Sequence, residues 1–205
     1  IVTSIGNEGQ NKNWQVITTP SDAEGVIAVG AADIDYWIKP SFSSIGPESL
    51  AYLKPNVTCP SADGTSFSAP FVTGLIACML ELSPTLTNRE VKAIIEKSGH
   101  LYPYGNNYMG YGLPLADRVM TLVKDPEYEN NKNTEMRVSA DSVLIDLNQL
   151  RAEPGEVLTF FFKKNERVVH EQAISSREEI WLNKLQGIER ITIASRTKVL
   201  ELIWE

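Results

Sequence analysis

A long apolar run behind a glycine and a serine constrains this chain more than any other stretch. Residues 64–80 open with Gly64, Thr65 and Ser66 and continue in a run that is apolar on nearly every side of a helix. Such a helix is expected in the middle of a domain. Gly64 permits a sharp turn or a close backbone approach. Ser66 would lie in the first helical turn, beside unpaired backbone N–H groups and the positive end of the helix dipole.

Two interpretations of Ser66 follow from this position. A serine ahead of an apolar run commonly caps the helix, and this stretch taken alone favours that role. A serine at a helix amino terminus is also well placed as a nucleophile, because the free N–H groups can stabilise an oxyanion.

Four segments resemble the subtilisin-like serine peptidases, or subtilases, in the order in which that family carries them. The residues at 64–74 resemble its G-T-S-x-[SA]-x-P-x-V-x-G signature around the nucleophile. The other segments are T-S-I-G-N-E-G at 3–9, V-I-A-V-G-A at 26–31, and S-F-S-S-I-G-P at 41–47 followed by L-K-P-N-V at 53–57. The match extends over residues 1–115 and favours the nucleophile interpretation of Ser66.

The resemblance implies roles for particular residues. Ser66 would be the nucleophile and Asn7 the side-chain donor to the oxyanion, while Gly6, Gly64 and Thr65 would contact the substrate. The alternative for Asn7 is a turn-forming residue, because G-N-E-G at 6–9 is typical of turns. The implied activity is hydrolysis of peptide bonds in proteins or peptides through an acyl-enzyme, and the implied location is secreted or cell-surface.

A base for Ser66 and a group to orient it are missing from the expected places. In this family the triad follows the order Asp, His, Ser, and both partners precede the asparagine. Neither His100 nor His170 precedes Asn7, and neither is expected to act as the base. We therefore expect the triad Asp and His in a missing amino-terminal part of the same protein, and we expect the chain alone to be inactive.

Two other classes of function compete with this interpretation. One is a subtilase fold that has lost its triad and serves as a binding or scaffold protein. The other is an unrelated serine hydrolase, which the absence of G-x-S-x-G around Ser66 argues against. The family also has a longer loop before the G-T-S segment. Either this protein has lost that loop, or residues are missing between Pro60 and Asp63, which is the alternative that we favour.

Hydrophobic periodicity predicts two domains. The family resemblance implies that residues 1–124 form the carboxyl-terminal part of an α/β peptidase domain with a parallel sheet flanked by helices. Its strands are expected at 1–5, 26–31, 41–45 and 53–58. Of its later helices, one is expected to follow a capping box at Thr87 and Glu90, and another is expected at 115–123. Polar residues 125–134 are predicted to be a linker. Residues 135–205 are predicted to form a small antiparallel β-sandwich, with strands at 142–147, 157–163, 167–173, 179–182, 189–194 and 199–204.

The composition of the chain excludes few classes of function. The net charge of −7 is spread along the chain and gives no basic stripe for nucleic acid. No segment is expected to be long enough to span a bilayer, and Cys78 is expected to be a small core residue. No cofactor is predicted. Asp33 and Asp35 could ligate calcium or form a polar turn, and the turn is favoured because no ring of oxygen ligands is visible.

Overall fold

A computed structural model of the chain describes residues 1–129, 133–175 and 177–205. The chain divides into two compact units, Ile1–Glu129 and Asn130–Glu205. In the described part of the first unit the elements are β1 (Val2–Ser4), β2 (Ile27–Ala32), β3 (Val57–Pro60), α1 (Thr65–Leu82), α2 (Asn88–Lys97) and α3 (Ala116–Lys124). Those of the second are β4 (Thr134–Val138), β5 (Ser142–Asp146), a short 3-10 helix (Leu147–Gln149), β6 (Leu158–Lys164), β7 (Arg167–Ile174), β8 (Glu179–Asn183), β9 (Arg190–Ala194) and β10 (Val199–Trp204).

The first unit is built on a parallel sheet in the order β1-β2-β3. Val2 pairs with Ile27, and Val29 pairs with Val57. Every residue of β2 is buried, as expected for the central strand of a sheet that is covered on both faces. Because parallel strands end at the same edge of a sheet, the segments that follow β1 and β3 emerge at one edge, on either side of β2.

Helix α1 is only partly buried, which corrects the expectation of a helix enclosed on all sides. Val72 and Met79 are fully buried in the cluster that contains the β2 and β3 side chains. On another side Phe67 is 63% exposed and Phe71 67% exposed. Cys78 is also exposed, so the prediction that it is a core residue is wrong. An apolar composition shows that a helix is suited to burial, but it does not show which segments cover it.

The length of α1 corrects a second expectation. With 18 residues, α1 is long and apolar enough to cross a membrane by length and composition alone. A core helix of a globular protein meets the same criterion, and α1 packs against all three strands of the first unit. The finding is therefore weak evidence for a membrane span.

The predicted capping box at the start of α2 is confirmed. The Glu90 N–H donates to Thr87 Oγ1 at 3.3 Å, and the Thr87 N–H donates to Glu90 Oε2 at 2.7 Å. Val91, Ile94 and Ile95 form the buried face of this helix, as the spacing predicted.

One strand prediction in the first unit is wrong, and another is wrong in part. Residues 41–45 form no strand; Ile45 makes only an isolated bridge with Val16. The hydroxyls of Ser43 and Ser44 accept hydrogen bonds from backbone N–H groups of other segments, and separate backbone bonds, such as that from the Ser44 N–H to the Gly6 carbonyl, add to them without forming a ladder. Strand β3 begins only at Val57, after Pro55, which has no N–H to donate.

The second unit consists of a five-stranded sheet in the order β4-β10-β9-β6-β7 and a two-stranded sheet of β5 and β8. Side chains of both sheets, such as Ile145, Phe160, Leu182 and Leu202, meet in one hydrophobic cluster. The β4–β10 pair is parallel, so the larger sheet is mixed and not wholly antiparallel as predicted. Alternation of apolar and polar residues indicates a strand but not its direction.

Strand β4 was not predicted. Four of its five residues are exposed, so it lacks the alternation that marks a half-buried strand. Its first residue, Thr134, is also the last residue of the predicted linker at 125–134, while α3 ends at Lys124. Residues 130–132 of that linker lie outside the described residues.

Candidate active site

Asn7 lies just beyond the carboxyl end of β1. The chain turns at Gly6, whose φ of 102° is open to glycine and strained for other residues. Ile5, the preceding residue, is fully buried, whereas Asn7 is exposed. The turn therefore carries the Asn7 side chain out of the core at the edge of the sheet where α1 begins.

Two donors of Thr65 fix the Asn7 amide. Its backbone N–H and its hydroxyl both donate to Asn7 Oδ1, at 2.9 Å and 3.0 Å. The Thr65 hydroxyl also accepts from the Gly6 N–H at 3.3 Å. Because Thr65 holds Oδ1 against α1, Nδ2 points away from that contact. Nδ2 makes no hydrogen bond within the described residues and can donate elsewhere.

Gly64 leaves room for this amide. Asn7 Nδ2 would lie 3.3 Å from a Cβ built on Gly64, which is tighter than an ordinary carbon–nitrogen contact. The connection from β3 is short and is tied by Ser61, whose hydroxyl donates to the Gly64 carbonyl at 2.7 Å. The structure thus brings together Gly6, Asn7, Gly64 and Thr65, four of the five predicted site residues.

Ser66, the fifth, is exposed in the first turn of α1. No acidic side chain occupies that turn, so the positive end of the helix dipole is not neutralised there. A cavity of about 450 Å³ opens beside the serine. It lies between β1 and α1 and is lined by Val2, Thr3, Ser4, Ser66, Ala69, Pro70 and Thr73.

His100 is not arranged as a base for Ser66. His100 is only 1% exposed, and its Nδ1 accepts from the Leu113 N–H at 2.9 Å. Burial, aided by the positive charge of Arg118, lowers the pKa of His100 to about 3, so the imidazole is neutral at physiological pH. His170 belongs to β7 of the second unit, where its ring contacts Phe162.

Within residues 1–129, 133–175 and 177–205, no three His, Cys, Asp or Glu side chains are grouped to hold a metal ion. Asp33 Oδ1 accepts from the N–H groups of Asp35 and Tyr36, at 2.9 Å and 2.8 Å. These bonds form the polar turn that was favoured over a calcium site.

Sequence reasoning missed Ser44. Its backbone N–H donates to the Gly6 carbonyl at 3.1 Å, and its hydroxyl accepts from the Glu8 N–H at 3.0 Å. The segment at 41–47 contributed to the family resemblance, but no local pattern indicated that it holds the segment containing Asn7.

Comparison with known proteins identifies the family. The model of the subtilase family, Peptidase_S8, matches residues 1–112, which is more than half of the chain. The chain belongs to the subtilase family. Among curated proteins it is 35% identical over 100 residues to subtilisin DY of Bacillus licheniformis, covering 45% of this chain and 36% of that protein.

Other matches are similarly partial. Subtilisin E of Bacillus subtilis strain 168 is 31% identical over 121 residues, covering 55% of this subtilase chain and 31% of that protein. Among solved structures, the CspB protease of Clostridium perfringens is 28% identical with a TM-score of 0.46, covering 53% of this chain and 29% of that one. The chain spans about a third of the length of the curated relatives that it matches.

Proposed function

We propose that this chain is the carboxyl-terminal part of a serine endopeptidase that cleaves peptide bonds through an acyl-enzyme at Ser66. The observation that carries the proposal is the Thr65 clamp on Asn7 Oδ1, which leaves Nδ2 without a hydrogen bond among the described residues and next to Gly64, two positions before Ser66. The family likeness supports the same reaction.

In this proposal the chain supplies the nucleophile and the donors to the oxyanion. Ser66 Oγ attacks the scissile carbonyl and gives its proton to a base. As the carbonyl carbon becomes tetrahedral, its oxygen gains charge and accepts hydrogen bonds from Asn7 Nδ2 and the Ser66 N–H. Gly6, Gly64 and Thr65 would lie next to the bound substrate, with Thr65, which is 0% exposed, acting through Asn7. The base and its orienting carboxylate would come from a part of the protein upstream of Ile1.

An uncovered surface supports an upstream part of this kind. Phe67 and Phe71 on α1 are more than 60% exposed, and contiguous exposed apolar surface of this type marks a place where other protein packs. Strand β1 pairs only with β2 in the three-stranded sheet, so it can accept a further strand. The cavity beside Ser66 lies between this strand and α1.

We also propose that the second unit is a small β-sandwich that stabilises or targets the peptidase. Both of its sheets contribute to one hydrophobic cluster, as in a sandwich. No group of three potential metal-ligating side chains occurs among its described residues. Secretion or surface location is proposed from the likeness to subtilisins.

Replacement of Asn7 tests the function in the protein that includes the upstream part. Asn7→Ala should lower kcat by about a hundredfold or more and leave KM nearly unchanged, because the amide acts on the transition state. Asn13→Ala is a matched control, since Asn13 is an exposed asparagine of the same polar segment. Steady-state hydrolysis of a chromogenic peptide gives both constants. Equal kcat for the two variants would rule out the donor role.

A further inference from the structure

Ser44 is a buried serine whose contacts converge on one neighbour. It is 0% exposed. Its N–H donates to the Gly6 carbonyl at 3.1 Å, and its Oγ accepts from the Glu8 N–H at 3.0 Å. The Gly6 carbonyl belongs to the peptide group before Asn7, and the Glu8 N–H belongs to the peptide group after it. Ser44 therefore holds both peptide planes that flank the Asn7 Cα.

Holding both planes fixes the backbone of Asn7. The dihedral angles φ and ψ describe the rotation of those two planes about Cα, so neither can change freely while both hydrogen bonds persist. Gly6 makes the close approach possible, because a Cβ at that position would lie 3.2 Å from Ser44 Oγ. Ser44 thus controls where the Asn7 side chain leaves the backbone, and Thr65 controls how its amide is turned.

We propose that Ser44 is a positioning residue that acts through Asn7: its hydroxyl fixes the backbone from which Asn7 Nδ2 reaches the oxyanion. This proposal rests on the proposed function, because Asn7 must be the oxyanion donor for its position to affect the rate. A donor held in place before the reaction needs no reorganisation in the transition state. A small displacement of that donor therefore lowers the reaction rate markedly.

The neighbouring serine provides a matched control. Ser43 is also 0% exposed, and its Oγ accepts from a backbone N–H, that of Ala31 in β2, at 3.1 Å. Ser43→Ala and Ser44→Ala each leave one backbone N–H without its acceptor, that of Ala31 buried and that of Glu8 partly buried, so Ser43→Ala should cost at least as much stability as Ser44→Ala. Only Ser44→Ala releases a peptide plane beside Asn7.

The first test is a double-mutant cycle in the protein that includes the upstream part. Ser44→Ala should lower kcat roughly tenfold with little change in KM, less than the loss on removal of the donor itself. In an Asn7→Ala background the same substitution should change kcat by less than about twofold, because its effect passes through Asn7. Ser43→Ala should leave kcat within about twofold in both backgrounds.

The outcomes separate this proposal from the proposed function. If Asn7→Ala lowers kcat strongly while Ser44→Ala behaves like Ser43→Ala, the positioning role is overturned and the proposed function stands. If Ser44→Ala lowers kcat equally with and without Asn7, its effect is structural and the role is again overturned. If Asn7→Ala leaves kcat unchanged, both proposals fall.

A second readout requires no activity. In the 205-residue chain labelled with ¹⁵N-asparagine, the Asn7 side-chain NH₂ signals are assigned by their loss in Asn7→Ala. Ser44→Ala should shift or broaden these signals, and Ser43→Ala should leave them in place. Identical Asn7 signals in wild type and Ser44→Ala would overturn the proposal.

Discussion

Thr65 holds the Asn7 amide with its backbone N–H and its hydroxyl, and the hydroxyl also accepts from the Gly6 N–H. The orientation of a side-chain amide is set by its hydrogen bonds, so the two donors of Thr65 direct Oδ1 toward α1 and Nδ2 away from it. The hydroxyl is the part of this arrangement that a substitution can remove.

Replacement of Thr65 tests this assignment. Thr65→Val keeps the side-chain shape but loses the hydroxyl, so we expect kcat of the whole enzyme to fall roughly tenfold. Thr65→Ser keeps the hydroxyl and should retain most of the activity. Kinetic assays of the two variants check the prediction, and equal kcat values would contradict a role for the hydroxyl.

Buried His100 predicts a defined dependence of stability on pH. Its pKa is lowered from 6.5 to about 3 in the folded chain, so the unfolded chain binds the proton first as the pH falls. The free energy of unfolding should therefore decrease between pH 6.5 and about 3. His100→Asn should show a shallower decrease over this range.

Urea unfolding followed by tryptophan fluorescence measures this effect, because Trp37 packs against the His100 ring at 4.9 Å between centroids. If His100→Asn loses stability as steeply as the wild type below pH 6.5, the assignment is wrong.

The sequence identified the candidate site residues but not how they are held. Gly6, Asn7, Gly64 and Thr65 were predicted from a family pattern, and they lie together. The contact of Ser44 with Gly6 and Glu8 joins residues 36 or more positions apart. Local spacing contains no information about a contact of this kind, because the path of the chain between the two segments determines it.

Secondary structure was predictable where an element contains a run of apolar residues or a capping signal. The capping box at Thr87 and the strands of the second unit from β5 onward were located within one or two residues. Prediction failed at β4, whose side chains are mostly exposed, and at residues 41–45, which separate backbone bonds and serine hydroxyls hold in place without a ladder. It also failed for the burial of α1, which depends on segments beyond the helix.

The capping box of α2 gives a quantitative prediction for a single element. Thr87→Ala removes the acceptor for the Glu90 N–H and should lower the free energy of unfolding by about 1 kcal/mol. Thr85→Ala, at an exposed position in the same loop, should change it by less than about 0.5 kcal/mol. Chemical denaturation measures the free energy of unfolding of both variants. Equal decreases in Thr87→Ala and Thr85→Ala would show that the cap contributes no stability.

Considered as a whole, the first unit exposes apolar side chains on α1 that a complete domain would be expected to cover. Phe71→Asp should reduce self-association of the 205-residue chain, because a charge replaces an exposed ring. In the protein with its upstream part the same substitution should lower stability, since a buried unpaired charge is costly. Analytical ultracentrifugation and thermal unfolding measure the two effects. If Phe71→Asp changes neither the self-association of the 205-residue chain nor the stability of the longer protein, the proposal that upstream protein covers this face is contradicted.

Labelling of Ser66 with a fluorophosphonate probe tests the central claim most directly, because the reaction requires an activated serine and no knowledge of the substrate. We expect stoichiometric labelling at Ser66 in the protein that includes the upstream part, and none in its Ser66→Ala variant. The 205-residue chain alone should remain unlabelled, since a serine without a base is a poor nucleophile. Absence of labelling in the longer protein would contradict the peptidase assignment, and labelling of the 205-residue chain would contradict an upstream base.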